Sequence, residues 1–460
     1  MDHSPPPSAP PASSAPLLPQ PNGIAGKIAI YLCAALIMAT AESIGTLSFQ
    51  VGPGKIMLMP LVWAVLLGGV ISVLGRHFPR PLTLGGRGQW YAAMVLQPAL
   101  LLLIAKLALL VGASLPKVAS SGWPLIFQEF GHFFGTMVFG LPVALLLGIK
   151  REAIGATFSV GREPSLAIIS EKFGLSSPEG RGVLAEYLTG TVFGAVFIGL
   201  LAGFLASLNI FDPIALAMGA GVGSGSMMAA ASGAIAAQQT PEIAKEVTVF
   251  AGAANLLTTT VGTYFTLFLS LPFTIWAYGV LEPVLGRIGL ARIRQNRAKA
   301  QNDDAPLLAA DNPHKDFGIL EYLACWSLTG IIALVANRIG YKTPLDEALP
   351  GMAIICAVTA LGSLLHRLAR VRFIPAVCWV SLVGMAATFP GMPFAAEIGA
   401  MTAKINALAI ITMILSFAGL SVAKDIPAFR RLGWPIIVTS LMANAGTFLG
   451  ATMIAQFFHH

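Results

Sequence analysis

Charged residues are scarce in this chain: Asp, Glu, Lys and Arg make up 11% of its 460 residues, against 56% for the hydrophobic types. The mean hydropathy is +0.77. A water-soluble fold of this composition would not have enough polar side chains to cover its surface. The composition therefore excludes a soluble globular protein and predicts an all-α, polytopic transmembrane helix bundle.

Cysteines and catalytic motifs are also few. The four cysteines, Cys33, Cys325, Cys356 and Cys378, lie singly in apolar segments, without the spacing of a zinc site, a haem attachment or a disulfide framework. The sequence has no Gly-x-x-x-x-Gly-Lys-Ser/Thr phosphate loop and no His-Glu-x-x-His pair. We therefore expect neither an enzyme nor a bound metal or organic cofactor.

Basic residues outnumber acidic ones, 28 to 21, but they lie in short loops rather than in one patch. This distribution predicts no nucleic-acid partner, and the positive-inside rule places the longest loop in the cytoplasm. The residues before Lys27 are rich in Pro, Ser and Ala and lack the basic start of a secretory signal. The predicted location is a bacterial cytoplasmic (inner) membrane, with the lipid bilayer as the main partner.

Apolar stretches that are long enough to cross the hydrocarbon recur along the chain and predict about 10–12 spans. Composition and repeats divide the chain into five parts. These are a disordered Pro-rich tail (1–24), an outer scaffold-like repeat (25–149), a central core (150–280), a basic cytoplasmic loop (281–316) and a second outer repeat (317–460).

Two Gly- and Ser-rich segments in the central core are copies of one another. The first runs from Ala153 to Pro178-Glu179 and the second from Ala217 to Pro241-Glu242, at offsets of 64 and 63. Backbone that leaves a helix at membrane depth is tolerated only against other protein or a water-filled cavity. The pair therefore predicts two broken or re-entrant helices that form a transport site.

The two outer blocks are duplicated as well. Tyr31-Leu32 matches Tyr322-Leu323 at an offset of 291, and Gly122-Trp123-Pro124 matches Gly433-Trp434-Pro435 at 311. The change in offset predicts one inserted span near residues 373–389. Basic turns after the second span of each block indicate a common orientation there, whereas the inserted span would invert the later spans of the second block. Charge alone therefore leaves parallel and inverted repeats open.

The first Gly-rich segment contains Gly161-Arg162-Glu163-Pro164-Ser165, which combines a flexible glycine, both charge signs and a proline. A helix that begins here presents unpaired backbone N–H groups to a carboxylate or a phosphate. Arg162 would add a bidentate clamp on the anion, and Glu163 would be the coupling group. The alternative is that Arg162 and Glu163 form an interfacial turn.

The second segment, Gly223-Ser224-Gly225-Ser226, is uncharged and offers a ligand only backbone groups and hydroxyls. Its alternative role is helix packing through small residues. Asn255 and Thr258 follow on a long apolar helix, where their oxygens can complete a sodium shell or hold a substrate. The inert alternative for the threonine is a bond to its own preceding turn.

Ionisable residues also occur within the apolar spans, where a buried charge is costly and usually faces the bundle interior. Glu42 and Lys106 are candidates for an ion pair, either functional or structural. Glu129 and His132 share one helix face at i and i+3. His132 would act there as a proton relay, or it would simply pack.

The runs 155–165 and 219–228 resemble an uncharacterised bacterial inner-membrane family, domain of unknown function 3100, and the similarity extends over most of the chain. More distantly, Gly419-Leu420-Ser421 and Leu432-Gly433-Trp434-Pro435 resemble motifs of the cation:proton antiporter and anion transporter superfamily. That resemblance implies inverted repeats, crossing broken helices and the movement of sodium, protons or organic anions. The chain lacks a paired Asp-Asp or Asn-Asp on a central span, which argues against simple sodium/proton antiport.

Together these features predict a secondary active transporter of a small solute, best described as an organic anion, coupled to H⁺ or Na⁺. The expected ligand contacts are Arg162, Ser165, Ser224, Ser226 and Asn255. A passive channel or exporter and a non-transport integral-membrane protein remain as alternatives, and homo-oligomerisation is left open.

Overall fold

The computed structural model describes residues 23–459 except 52–53, 76–84, 117–121, 175–176, 263–264, 289–316, 369–375, 425 and 427–432. Within the described residues, nine helices are long and apolar enough to cross a membrane, and three shorter apolar helices accompany them. The predicted all-α polytopic class is confirmed. The predicted tail lies outside the described residues up to residue 22, as does the basic loop from residue 289.

Among its described residues, the first outer block forms four helices and a short hairpin. Its elements are α1 (Gly23–Ile44), the antiparallel strands β1 (Leu47–Val51) and β2 (Gly54–Leu58), α2 (Pro60–Leu74), α3 (Gly86–Ala113) and α4 (Gly122–Leu146).

The described part of the central core forms eight α-helices, of which several begin with proline behind a capping side chain. They are α5 (Glu152–Thr157), α6 (Arg162–Phe173), α7 (Pro178–Thr189), α8 (Ala195–Leu208), α9 (Pro213–Ala220), α10 (Gly225–Ala236), α11 (Pro241–Leu257) and α12 (Leu271–Ile288). Ser177, Asp212 and Thr240 cap α7, α9 and α11, each directly before a proline. For α7 and α11 this explains the Pro-Glu pairs seen in the sequence, because proline suits the first helical position after a capping residue. Single-turn π-helices lie at Gly190–Gly194, Thr258–Gly262 and Thr266–Ser270.

Six α-helices are described in the second outer block. They are α13 (Ile319–Tyr341), α14 (Leu345–Leu368), α15 (Ala376–Thr388), α16 (Ala395–Ala403), α17 (Ala407–Ser421) and α18 (Trp434–His459). Helix α15 lies where the change in repeat offset predicts an inserted span.

The first helices of the two outer blocks, α1 and α13, run in the same direction. Near their starts, Lys27 Nζ lies 2.7 Å from Glu321 Oε1. Near their ends, the carboxylate of Glu42 lies against Gly340. Contacts in the same order along both helices show that this part of the duplication is parallel.

The last helices of the two blocks, α4 and α18, run in opposite directions. Gly131 lies against Gly450 and Gly135 against Gly446, while the hydroxyls of Thr136 and its repeat counterpart Thr447 are hydrogen-bonded to each other. Equivalent residues that meet across an antiparallel helix pair imply a pseudo-two-fold axis perpendicular to the helices. The duplication is therefore inverted here, because α15 has been inserted between the two parts of the second block.

The hydrophobic packing groups α4 and α18 with the central helices. One buried cluster joins apolar residues of α4, α5, α7, α12 and α18. A larger cluster holds α1, α2, α3, α13 and α17 together with the central helices α8–α11, and it also includes Leu125 of α4 and Phe448 of α18. The small residues of α4 and α18 allow the close backbone approach of these two helices. Large apolar side chains such as Leu320 (81% exposed) and Phe457 (76%) face outward, as expected in lipid.

Candidate functional site

Both Gly-rich segments form helices with a break, as the fold prediction required. Helix α5 ends at Thr157 and α6 begins at Arg162, which leaves Phe158–Gly161 outside helical structure. Helix α9 ends at Ala220 and α10 begins at Gly225, with Ser224 as its N-cap. We call residues 158–161 the first break and residues 221–224 the second break.

The two broken helices enter the bundle from opposite sides. After a tight turn, α5 doubles back on α4, so that Thr157 lies against Gly140. Helix α9 lies antiparallel to α18 in the same way, although the two are distant in the sequence. The Asp212 backbone N–H donates to Gln456 Oε1 at 2.8 Å, and Gly219 lies against Thr452. Since α4 and α18 are antiparallel, α5 and α9 are antiparallel too.

The breaks meet inside the bundle. A methyl group built on Gly223 would lie 3.9 Å from Val160 Cγ2, which is ordinary van der Waals contact. Val160 and Val222 are both buried. Four helix ends therefore converge in one region, with the C-termini of α5 and α9 beside the N-termini of α6 and α10. Such ends expose unpaired backbone carbonyl and N–H groups with opposite partial charges.

Two serines lie at the first break, Ser159 within it and Ser165 just after it. Ser159 Oγ accepts a hydrogen bond from the Gly161 backbone N–H at 3.1 Å. Ser165 lies in the first turn of α6 with no solvent exposure, and its hydroxyl has no hydrogen-bond partner among the described residues. A methyl group on Gly161 would lie 3.4 Å from the hydroxyl oxygen of Ser159 and 3.6 Å from that of Ser165. Arg162 and Glu163 occupy the same turn, but their side chains lie outside the described residues.

The second break is tied to α11 by one side chain. Asn255 is buried, and its Nδ2 donates to the carbonyl oxygens of Gly221 at 2.9 Å and Gly223 at 3.3 Å. Ser224 Oγ lies 3.2 Å from Ser226 Oγ and accepts a hydrogen bond from the Met227 backbone N–H, in the first turn of α10, at 3.4 Å. Three predicted ligand residues, Asn255, Ser224 and Ser226, thus lie at the second break or are bonded to it.

The glycines of the second segment have two different roles. Methyl groups on Gly219 and Gly221 would collide with α18 and α11, so these two residues serve helix packing, the alternative that the sequence left open. Gly223 and Gly225 have nothing closer than 3.6 Å and 3.9 Å. Gly223 has φ of +101°, a conformation that side chains disfavour, so its role is to shape the break.

A buried polar cluster lies one helical turn beyond Asn255. Thr258 Oγ1 donates to Glu129 Oε1 on α4, and Gln128 Nε2 donates to the same oxygen at 2.8 Å. His132 Nδ1 lies 3.5 Å from Glu129 Oε2. Glu129 and His132 are each 1% exposed. The structure thus connects two features that the sequence presented separately, the Asn255–Thr258 stripe and the Glu129–His132 face.

The π-helix Thr266–Ser270, which follows α11 along the chain, touches the first break. Ser270, at the end of the third π-helix, donates its hydroxyl hydrogen to the Phe158 carbonyl oxygen. Sequence reasoning missed Ser270, Ser159 and Gln128. Ser159 lies within the first Gly-rich segment and was open to detection there, whereas no pattern pointed to Ser270. Thr259 bonds the Asn255 carbonyl at 2.7 Å, the inert arrangement expected of most threonines here.

Glu42 and Lys106 do not form the ion pair that the sequence suggested. Lys106 Nζ donates to the Thr402 carbonyl oxygen at 2.6 Å, near the C-terminus of α16, where free carbonyls and the helix dipole attract a cation. Glu42, on α1, faces α13 and α17, where its carboxylate lies against Gly340 and near Thr412. Both residues therefore belong to the outer helices, away from the breaks.

The comparisons with known proteins identify a family but no characterised relative. A family model described as a protein of unknown function, DUF3100, matches residues 39–280. This is more than half of the chain, and it contains both breaks together with Glu129, His132 and Asn255. No curated protein and no solved structure matches the chain.

Proposed function

The chain belongs to the DUF3100 family of unknown function, and we propose that it is a secondary active transporter of a small organic anion, coupled to H⁺ or Na⁺. The observation that carries the proposal is the meeting of two duplicated helix breaks, 158–161 and 221–224, between antiparallel helices. Duplicated discontinuous helices with opposite directions are the usual construction of a transporter's binding site.

The local electrostatics favour an anionic substrate. Helices α6 and α10 both begin at the junction, and their N-terminal N–H groups attract carboxylate or phosphate. Ser165 adds a buried hydroxyl that has no hydrogen-bond partner among the described residues, and Ser224 and Ser226 add two hydroxyls that bond each other. Among the side chains described at the two breaks there is no carboxylate to repel the ligand, and the first turn of α6 contains one residue of each charge, Arg162 and Glu163.

A ligand screen tests the proposal first. The purified chain in detergent is heated with acetate, succinate, citrate or phosphate, and with quaternary ammonium and neutral sugar controls. A ligand at 100 times its dissociation constant stabilises the folded state by about 2.7 kcal/mol. Stabilisation by at least one anion is expected. Stabilisation by cations or neutral solutes alone would contradict an anion site.

Gly223→Ala tests whether the second break forms part of that site. The backbone strain at φ of +101° costs about 1–2 kcal/mol for a residue with Cβ, and the added methyl narrows the junction. Gly174→Ala is a matched control, because Gly174 has φ of +81° with open space around it and lies after α6, away from the breaks. Both variants should lose similar stability, and only Gly223→Ala should lose the anion-dependent shift.

Uptake into proteoliposomes then separates a carrier from a channel. Saturable uptake of the stabilising anion that depends on a proton or sodium gradient supports the proposed carrier. Unsaturable conductance would replace it with the channel alternative. The same experiment in vesicles without any gradient shows whether coupling is required. A bacterial cytoplasmic membrane is the proposed location.

A further inference from the structure

We infer that Glu129 and His132 form a proton-binding site that compensates the charge of an anion bound at the breaks, so that anion and proton move in the same direction. The inference rests on the proposed function for its coupling partner. Its first test needs no substrate, so the proton site and the transport function can fail independently.

The geometry of the pair is suited to one exchangeable proton. Glu129 Oε2 faces His132 Nδ1 at 3.5 Å, and the other carboxylate oxygen accepts from Gln128 and Thr258. His132 Nε2 is buried and has no hydrogen-bond partner among the described residues. A proton that enters forms either an N–H bond on His132 or an O–H bond on Glu129.

The charge of the pair depends on that proton. Without it, a carboxylate and a neutral imidazole have a net charge of about −1, and with it they are neutral overall. An uncompensated charge is costly inside a membrane protein. The protonated pair is therefore the form that tolerates a second negative charge nearby.

Other charged groups on the surrounding helices do not take over this role. Helix α18 contains no charged residue from 434 to 458, and the charges of α11 are confined to its first two turns. Asp212 caps the start of α9 beside Gln456, and the buried Glu186 of α7 accepts from Asn444 Nδ2 at 3.5 Å. On α12 and α5, Glu282 pairs with Lys150 and Glu152 pairs with Arg181. These pairs lie beyond the C-terminal end of α4, roughly 20 Å along the helix from His132.

The connection from the pair to the second break is short. Thr258 bonds Glu129, and Asn255, one turn earlier, bonds the carbonyl oxygens of Gly221 and Gly223. One helical turn and two side chains give a separation of about 10 Å between Glu129 and a ligand at the break. At an effective dielectric constant of about 20, this corresponds to roughly fifteenfold tighter anion binding after protonation.

The proton site is tested by infrared difference spectra of the full chain in lipid vesicles, recorded without substrate between about pH 5 and pH 8. In the unmodified chain, carboxylic-acid or imidazole bands of the pair should change over this range. Glu129→Gln should remove the carboxyl bands and His132→Phe the imidazole bands, and each substitution should also shift the bands of the remaining partner, because the two groups share one proton. Spectra unchanged in both variants would overturn the inference. Glu186→Gln, a buried glutamate on α7, is the matched control that should leave those bands in place.

Thr258→Val keeps the test decisive if Glu129→Gln does not fold. This variant retains both ionisable groups and removes only a hydroxyl that stabilises the carboxylate. The carboxylate bands of Glu129 should change in frequency in Thr258→Val because one of its hydrogen bonds is lost, and bands at unchanged frequency count against the pair.

The direction of coupling is tested with the anion found in the ligand screen. Its dissociation constant should fall about fifteenfold as the pair becomes protonated, and Glu129→Gln should abolish this pH dependence. Tighter binding at high pH would indicate exchange in opposite directions and would refute cotransport. Failure of every anion to bind would sink the proposed function, whereas the infrared result would still stand.

Discussion

Asn255→Ala offers the sharpest test of the candidate site. The substitution removes the Nδ2 donor from the carbonyl oxygens of Gly221 and Gly223, at 2.9 Å and 3.3 Å. A buried acceptor without its partner costs about 1–3 kcal/mol, so the loss of both bonds should lower the free energy of unfolding by about 2–4 kcal/mol. The second break would then lose its preferred conformation, and with it the affinity for the anion.

Asn337→Ala provides a control of equal cost. Asn337 is as deeply buried as Asn255 and also makes two hydrogen bonds, to the Lys404 carbonyl oxygen at 3.0 Å and from the Asn406 backbone N–H at 2.9 Å. It lies on α13, among the outer helices. Thermal unfolding in detergent should show similar losses of stability for both variants, whereas the anion-dependent shift should disappear only in Asn255→Ala. An equal loss in both, or a shift retained in Asn255→Ala, would refute the reasoning.

Two further predictions concern the helix pairs that define the repeats. Gly135→Ala should destabilise the fold by more than 3 kcal/mol, roughly the upper end for a single substitution, because its methyl group would collide with the Gly446 carbonyl oxygen; Gly399→Ala, with open space around it, should be nearly neutral by the same unfolding assay. A zero-length carbodiimide should join the Lys27 amine to the Glu321 carboxylate as an amide, because the two groups are in contact at 2.7 Å; the cross-link is detected by electrophoresis after cleavage in the 289–316 loop, and Glu321→Gln should abolish it. Its absence would contradict the parallel arrangement of α1 and α13.

Much of the architecture was predictable because duplication leaves the same special residues at a fixed offset. The breaks followed from Gly- and Ser-rich segments 63–64 residues apart, and Gly135-Thr136 and Gly446-Thr447 at offset 311 proved to be the surface on which α4 and α18 meet. The ambiguity between parallel and inverted repeats was real, since α1 pairs with α13 in one sense and α4 with α18 in the other. One inserted helix accounts for both.

The contacts within the site were less predictable, because local periodicity does not show which helix faces meet. Thr258 bonds Glu129 across 129 residues, and Ser270 bonds Phe158 across 112. The suggested ion pair between Glu42 and Lys106 was wrong for the same reason. Lys106 instead bonds a backbone carbonyl group at a helix end, and the order of side chains in the sequence does not show which backbone groups a residue will meet. Residue types pointed to candidates, but packing selected their partners.

The antiparallel contact of α4 and α18 has an implication for conformational change. A two-fold axis through the Thr136–Thr447 contact is perpendicular to α4 and α18 and therefore lies in the plane of the membrane. An exchange of conformations between the two central repeats would give the same arrangement facing the opposite side of the membrane. A second state in which the two repeats exchange conformations needs no new fold. The two states need not have equal energy, because the run Gly161–Ser165 contains Arg162 and Glu163 whereas Gly223–Ser226 contains no charge; under the proposed transport function, this imbalance would favour one side of the membrane.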